Sequence, residues 1–402
     1  MFSNRSKGIH NHIGSLGINE TIEVEDSTFP LIGQDDSRLA CSIIVDIVRT
    51  NKFGGKCFIL SGPSGSGKTA LTVAMSKELG TKIPFVSISG HEVYSSEVKK
   101  SEVLESLLRK AVLVRMKEFK NVYEGEVVSI RDSVLDLRSL KGTKTLRLSK
   151  DLVDQMKFQD IKVGDVIHVD SSSGILKRMG RGESHLNDYD LEAEKYVPLP
   201  KNEIYKKKEF VHETTLHSLD ISNINPTGQD VLSLVNQVVK YKKSEITSKL
   251  RKDVDNLIEL YDTEIVYGIL LIEEAHMLDL ESFTYLSKAM DSEKCPVIIL
   301  TTNITEGEIR GTALGPLGIP RNFLKKCLVL PIQKNDKEDE ILKCRVEKEN
   351  IKIDEQGFKK LVEISSKFGL VYSINLLKMM KNIKREVTQE DVNEFSLMFK
   401  NK

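Results

Sequence analysis

The chain has 402 residues, enough for two or three domains at about 150 residues each. Lys and Arg together number 59 and Asp and Glu 59, so the formal net charge is zero. That excludes a globally basic nucleic-acid binder, though not a local basic patch. Charged residues make up 29% and the hydrophobic set 40%, the usage of ordinary soluble globular chains. No apolar run reaches the roughly 18 residues that a transmembrane helix needs. The start, Met1 to Lys7, has no apolar signal core, so the chain reads as cytosolic or nuclear. The five cysteines, Cys41, Cys57, Cys295, Cys327 and Cys344, are scattered and form no CxxC pair. They point to neither a disulfide framework nor a zinc site.

In chain order, Asp36 to Arg49 predicts a helix, with Leu39, Ile43, Ile44, Ile47 and Val48 on one stripe. Cys57-Phe58-Ile59-Leu60 is a short continuous apolar run, suited to a central parallel strand buried on both faces. A Gly-rich turn follows, then helical spacing over Ala70 to Leu79 and a second strand at Pro84 to Ile88. Lys99 to Lys117 predicts one long amphipathic helix. Near Asn121 the texture changes. Val122 to Val128, Lys144 to Leu148 and Asp165 to Asp170 alternate at period two, with turn residues between them, which predicts a small barrel or sandwich. Helical periodicity returns over Asp230–Val239 and Glu245–Leu260. Glu264 to Ile272 predicts one buried strand and Pro296 to Leu300 another, and about Asp336 to Lys402 is helical.

The strongest motif is Gly62-Pro63-Ser64-Gly65-Ser66-Gly67-Lys68-Thr69, which has the GxxxxGK[ST] spacing of a P-loop. Glycines let the backbone fold around phosphate oxygens with its N–H groups inward. Lys68 reaches the β- and γ-phosphates, the Thr69 hydroxyl ligates Mg²⁺, and the helix that follows aims its positive end at the same anion. The alternative is a chance glycine loop. The buried strand before it and the helix after it argue for ATP or ADP. The second motif is Ile269 to Ile272 ending in Glu273-Glu274. In P-loop ATPases the first such acid holds Mg²⁺ and the next polarises the attacking water. The third is Thr301-Thr302-Asn303 at the end of the next strand, where an amide orients that water; a strand-end Asn is more often a turn residue.

These motifs, together with longer runs, resemble the eukaryotic RuvB-like AAA+ ATPases, closer to the pontin branch than to reptin. The matching stretches are His10 to Gly17, Glu92 to Leu104, Val122 to Val127, Tyr196 to Lys201, His276 to Asp279, Phe283 to Leu286, Ile309 to Thr312 and Gly318 to Pro320. The resemblance covers nearly the whole chain. It implies an α/β AAA+ P-loop core, an inserted β-rich OB-like domain and a helical lid. The expected boundaries are 1–119 and 231–332 for the two parts of the core, 120–230 for the insertion and 333–402 for the lid. Nucleotide contacts from His10, Ile32 and Gly33 are implied as well. For His10 and His12, metal ligation and plain loop positions are the other readings. The resemblance further implies a hexamer, alternating with a reptin-type paralogue or formed by one chain. It implies chromatin remodelling and ribonucleoprotein assembly, and a nuclear location with some cytoplasmic.

Three positions depart from the family. Glu273 stands where the family has Asp, so its longer side chain must retract to keep octahedral Mg²⁺ geometry. Lys326 stands at the trans-acting arginine finger, giving a point charge in place of a planar fork. Val371 stands at the second-sensor arginine and has no polar atom. Glu274, Asn303 and Lys326 are thus the catalytic candidates, and Thr69 and Glu273 the metal ligands. The basic runs Lys206 to Lys208 and Lys177 to Arg181 read as a solvated face or as a weak DNA or RNA contact, with few aromatics for stacking. Three functions compete: a slow ATPase that remodels protein assemblies, a nucleotide-gated scaffold with little hydrolysis, and a DNA helicase.

Overall fold

The computed structural model describes residues 13–18, 31–51, 54–94, 98–131, 134–171, 174–182, 196–200, 203–224, 246–260, 263–310, 314–349, 351–383 and 386–399. The chain divides into two compact units. One comprises 1–114, 214–260 and 264–402; the other comprises 115–213 and 261–263.

The first unit is built on a five-stranded parallel sheet. In chain order its strands are Cys57–Ser61, Phe85–Ser89, Ile269–Glu273, Val297–Thr302 and Cys327–Pro331. In space they run fifth, first, fourth, third, second. Alternate residues of each strand feed opposite layers, as a period of two requires. Phe58, Leu60, Leu271 and Ile299 pack under the helices Asp35–Arg49 and Lys68–Leu79. Cys57, Ile59, Leu270, Ile272, Ile298 and Leu300 pack under Lys100–Lys110 and Leu280–Ala289. Both faces being covered explains why the first, third and fourth strands read as unbroken apolar runs.

Register decides what the sheet presents. Ser61 lies opposite Thr302, and Leu60 opposite Thr301. Ile272 lies opposite Leu300, so Glu273 ends its strand level with them. The carboxyl ends of the first, third and fourth strands therefore deliver the P-loop, Glu273 and Asn303 to one edge, where open α/β sheets bind ligands.

Two expectations need correction. The helix over Lys99–Lys117 stops at Lys110, and a strand, Val112–Arg131, begins at once. The apolar residues Val103, Leu104, Leu107 and Leu108 keep helical spacing, whereas Val112 and Val114 are both buried at period two. Strand pairing thus overrides the charge pattern that made the stretch look continuous. The single strand over Glu264–Ile272 is two, Thr263–Tyr267 and Ile269–Glu273. Gly268 breaks it: its N–H donates to the Ala111 carbonyl at 2.9 Å, and a Cβ there would lie 2.0 Å from the Pro84 carbonyl. The helix Ser248–Leu260 matches the end of one predicted helix, and Asp230–Val239 lies outside the described residues.

The C-terminal part is helical: Glu338–Lys348, Glu355–Phe368, Leu370–Ile383 and Gln389–Met398 enclose Leu342, Leu361, Leu376, Leu377, Met380 and Val392. The last helix opens on a capping box between Thr388 and Asp391, which satisfies two otherwise orphaned N–H groups.

The second unit is a mainly antiparallel sheet. Its order runs Gly142–Arg147, Val134–Ser139, the long strand ending at Arg131, Asp165–Asp170, Ile175–Gly182 and Tyr196–Val197. A helix, Lys150–Phe158, covers a small core of Val127, Leu135, Leu137, Met156, Ile167, Val169 and Leu176. Among the described residues, no helix is long and apolar enough to cross a membrane.

Candidate nucleotide site

The P-loop leaves the first strand at Gly62, where a Cβ would lie 2.2 Å from the Ile332 carbonyl, so only glycine fits. Gly65 and Gly67 have φ of 81° and 94°. The left-handed turn at Gly67 lets the chain enter the helix Lys68–Leu79 with its first N–H groups facing the loop. The Lys68 ammonium donates to the carbonyls of Gly62 and Pro63, both at 2.7 Å. Partial burial lowers its pKa, because desolvation works against the charge.

Glu273 ends the third strand half-buried and accepts a hydrogen bond from the Thr69 hydroxyl. Burial raises its pKa most, and the neighbouring Glu274 and Glu92 charges raise it further. Glu274 follows in the left-handed region at φ 53°. It is a strained setting for a side chain with a Cβ, of the kind that collects at functional sites. Its N–H donates to the Thr301 hydroxyl at 3.3 Å and its carbonyl accepts from Met277 N at 2.9 Å. Thr301 comes from the fourth strand, so this contact ties the acid strand to the one carrying Asn303.

These residues line one cavity of about 720 Å³. Ser64 to Thr69, Glu273, Glu274, Asn303 and Ile32 all face it. Gly33 sits beside it at φ 71°, where a Cβ would lie 2.6 Å from the Asn335 side-chain oxygen. His10 and His12 lie outside the described residues. Lys326 is not part of the cavity lining. Its ammonium, at the end of the short helix Arg321–Leu324, contacts both Asp291 carboxylate oxygens at 2.9 and 3.0 Å and the Ser287 carbonyl at 3.2 Å. Val371 does line the cavity, and a Cβ on Gly65 would lie 3.7 Å from its methyl.

Sequence reasoning missed several wall residues. Gln34 donates to the Gln333 carbonyl at 2.5 Å and to the Ser66 carbonyl at 3.3 Å. Asn335 donates to the Ile32 carbonyl at 2.7 Å. Together they pin the 32–34 loop between the P-loop and the entry to the lid. Short polar side chains in loops carry no pattern that would have marked them. Glu92, Arg345 and Asn375 also line the cavity. Arg345 did leave a trace, because it shares the buried face of its helix with Leu342 three residues earlier.

The chemistry of this set fits a magnesium nucleotide. A loop of inward N–H groups and a lysine suit phosphate, and a hydroxyl beside a carboxylate suits a hard divalent cation. In the second unit, much of the expected basic patch is engaged. Arg178 pairs with Asp165 at 2.8 Å, and Lys206 and Lys208 both contact Glu124.

The chain matches the TIP49 P-loop domain family over residues 6–338 and the TIP49 AAA-lid domain family over residues 341–401. It is 40% identical to RuvB-like protein 1 of Encephalitozoon cuniculi, over 99% of both chains. It is 38% identical to RuvB-like helicase 1 of Drosophila melanogaster and to that of Candida glabrata, over 97% of this chain and 92% of each relative. With a P-loop, an acid pair and a lid around one cavity, and with matches that run almost from end to end, the chain belongs to the RuvB-like family of AAA+ proteins.

Proposed function

We propose that the chain binds ATP and ADP with Mg²⁺ and hydrolyses ATP slowly, as a subunit of a ring that remodels or assembles multiprotein complexes. The observation that carries this reading is the convergence of Lys68, Thr69, Glu273, Glu274 and Asn303 on one cavity. Thr69 and Glu273 would hold the metal ion, which would supply positive charge to the phosphate oxygens. Lys68 leaves its two carbonyl partners for the phosphates. Glu274 accepts the proton of the attacking water, and Asn303 orients that water. Partnership with a reptin-type paralogue, and work on chromatin or ribonucleoprotein complexes, rest on family membership alone. Lys326 serves a neighbouring protomer in such a ring only if Asp291 releases it.

A second reading, a nucleotide-gated scaffold, is favoured by two observations: a valine methyl stands over Gly65, and Lys326 is held by Asp291. The helicase reading, which the relatives' names carry, is favoured least, since Arg178, Lys206 and Lys208 are taken up within the second unit.

The test is titration calorimetry with ATP beside steady-state turnover, for the chain alone and with a reptin-type paralogue. Lys68→Ala should weaken ATP binding by about 10- to 100-fold, the loss of a charge-assisted hydrogen bond or two. Unchanged affinity would remove the nucleotide assignment. Tight binding with background turnover in both settings would select the scaffold.

A further inference from the structure

We propose that Cys57 and Cys327 are a reversible dithiol, closed to a disulfide by a hydroperoxide. The pair lies at the opposite end of its strands from the P-loop, and it stands apart from the nucleotide reading.

Topology comes first. Cys57 opens the first strand of the parallel sheet and Cys327 opens the fifth, and the two are directly opposite in register. Neighbouring strands stand about 4.8 Å apart, within the roughly 4.4–6.8 Å between Cα atoms that a disulfide spans. Both side chains join one core layer, the one under Lys100–Lys110 and Leu280–Ala289. The two thiols share a hydrogen bond, so closure asks little of the backbone.

Access comes second. Cys57 is 2% exposed, and burial pushes its thiol well above the ordinary range, with the Cys327 hydrogen bond adding to it. Cys295, buried in the same layer, is pushed up to about 12 by burial. Neither offers a thiolate for a peroxide to meet. Cys327 differs. It is half-buried, on a strand at the edge of the sheet, beside the exposed Leu328 and Val329. Its thiol donates to the Phe323 carbonyl at 3.2 Å. Cys327 is thus the thiol that a small oxidant reaches, and Cys57 is the neighbour that resolves it. Among the described residues, no group of three or more His, Cys, Asp or Glu is arranged to hold a metal ion, so these thiols are not a metal site.

Chemistry comes third. The Cys327 sulfur attacks one oxygen of the hydroperoxide. The O–O bond breaks, the sulfur becomes a sulfenic acid, and the other oxygen leaves as water or alcohol with the thiol proton. The Cys57 sulfur then attacks the Cys327 sulfur. The S–S bond forms, the S–O bond breaks, and the hydroxyl leaves as water with the Cys57 proton. The thiol pair gives up two electrons and the peroxide takes them. A dithiol reductant reverses the bridge by exchange. While closed, it fastens the edge strand to the strand that feeds the P-loop.

The experiment treats the full chain, reduced and then freed of reductant, with hydrogen peroxide. Remaining thiols are alkylated in denaturant, and the digest is mapped by mass spectrometry without reduction. A peptide pair linked through Cys57 and Cys327 should appear and should vanish with dithiothreitol, while Cys41 and Cys344 are recovered alkylated. Amide exchange over residues 327–330 should slow by about 10-fold in the oxidised chain, because the edge strand no longer parts from its neighbour. Cys57→Ala should leave Cys327 as a sulfenic acid that dimedone labels, and Cys327→Ala should leave Cys57 a free thiol. Both thiols free after peroxide would overturn the proposal, and so would a link between Cys57 and Cys295. Dimedone on Cys57 in the Cys327→Ala chain would overturn the choice of attacked thiol, and unslowed exchange would overturn the fastening of the edge strand. If either variant does not fold, the wild-type map decides alone: the Cys57–Cys327 link supports the proposal and its absence overturns it.

Discussion

Two regions of the first unit bury charge, and they do so in opposite ways. Around the helices Lys100–Lys110, Leu216–Ile224 and Ser248–Leu260, buried charges close on one another. Asp220, fully buried, receives Arg109 through both carboxylate oxygens at 2.6 and 2.8 Å. Arg109 also reaches Asp255 at 3.1 Å, and Arg251 contacts Glu102 and Glu105. Burial works against the Arg109 charge, and the carboxylates of Asp220 and Asp255 more than offset it, so its pKa is raised. In the cavity the same burial is only partly offset, by the Thr69 hydroxyl at Glu273 and by two carbonyls at Lys68. Lys68 is pushed down by desolvation, and Glu273 is pushed up by desolvation and by acids of its own sign. The first arrangement pairs its buried charges without a ligand. A cation beside Glu273 and an anion beside Lys68 would lower the cost of the second, and such imbalance is what collects at functional sites.

The comparison can be broken at either end. The largest effect should come from Glu274→Gln. With Glu274 as the proposed water-polarising carboxylate, its loss should cut kcat by about 10²- to 10⁴-fold while ATP stays bound. Phosphate release and nucleotide retention measure it. If Glu273→Gln stopped turnover while Glu274→Gln kept it, the two acids would have to exchange roles.

Next comes the closed network. Asp220→Ala leaves Arg109 and Arg251 buried beside one fewer acid, and should destabilise the chain by about 3–5 kcal/mol, read from the denaturant midpoint. A cost below about 1 kcal/mol would mean that water or side-chain movement relieves the charge, as at a surface pair.

The smallest effect sharpens the contrast. Glu273→Gln keeps shape and removes an ionisation that the fold opposes. It should raise the melting temperature of the nucleotide-free protein by about 1–3 °C at neutral pH. The folded pKa of Glu273 lies above its unfolded value. Wild type is therefore penalised as pH rises through the unfolded carboxylate range and then the raised folded value. The gap between the two proteins should be absent below the unfolded carboxylate range and open as pH rises through it and through the raised folded value. A gap that shrinks with rising pH would contradict the desolvated-acid picture.

Much of the site was readable in one dimension because its parts are local. Gly62 to Thr69 needs its glycines and lysine at fixed spacing, since a phosphate has a fixed size. Cys57–Leu60 and Ile269–Ile272 announced buried parallel strands because both faces are covered. Where two rules competed within one stretch, the pattern misled. Lys99–Lys117 carries helical and strand periods end to end, and only the pairing of Val112 onward settles the break. Gly268 looked like one residue of a strand until Pro84 and Ala111 closed around it.

The sequence by itself determined the loop that cradles phosphate, the acids that follow a buried strand, and the family through its motifs. Each depends on neighbours along the chain. Tertiary structure alone decided what meets what. Strand register brings Glu273, Thr301 and Asn303 level with the P-loop, and Gln34 and Asn335 tie the 32–34 loop to the lid entry. Lys326 closes on Asp291, and Arg345 is carried to the cavity wall by a helix whose core is shared with Leu370–Ile383. Those contacts join residues far apart in the chain, and no spacing rule reaches them. Their partners are chosen by how sheet and helices pack.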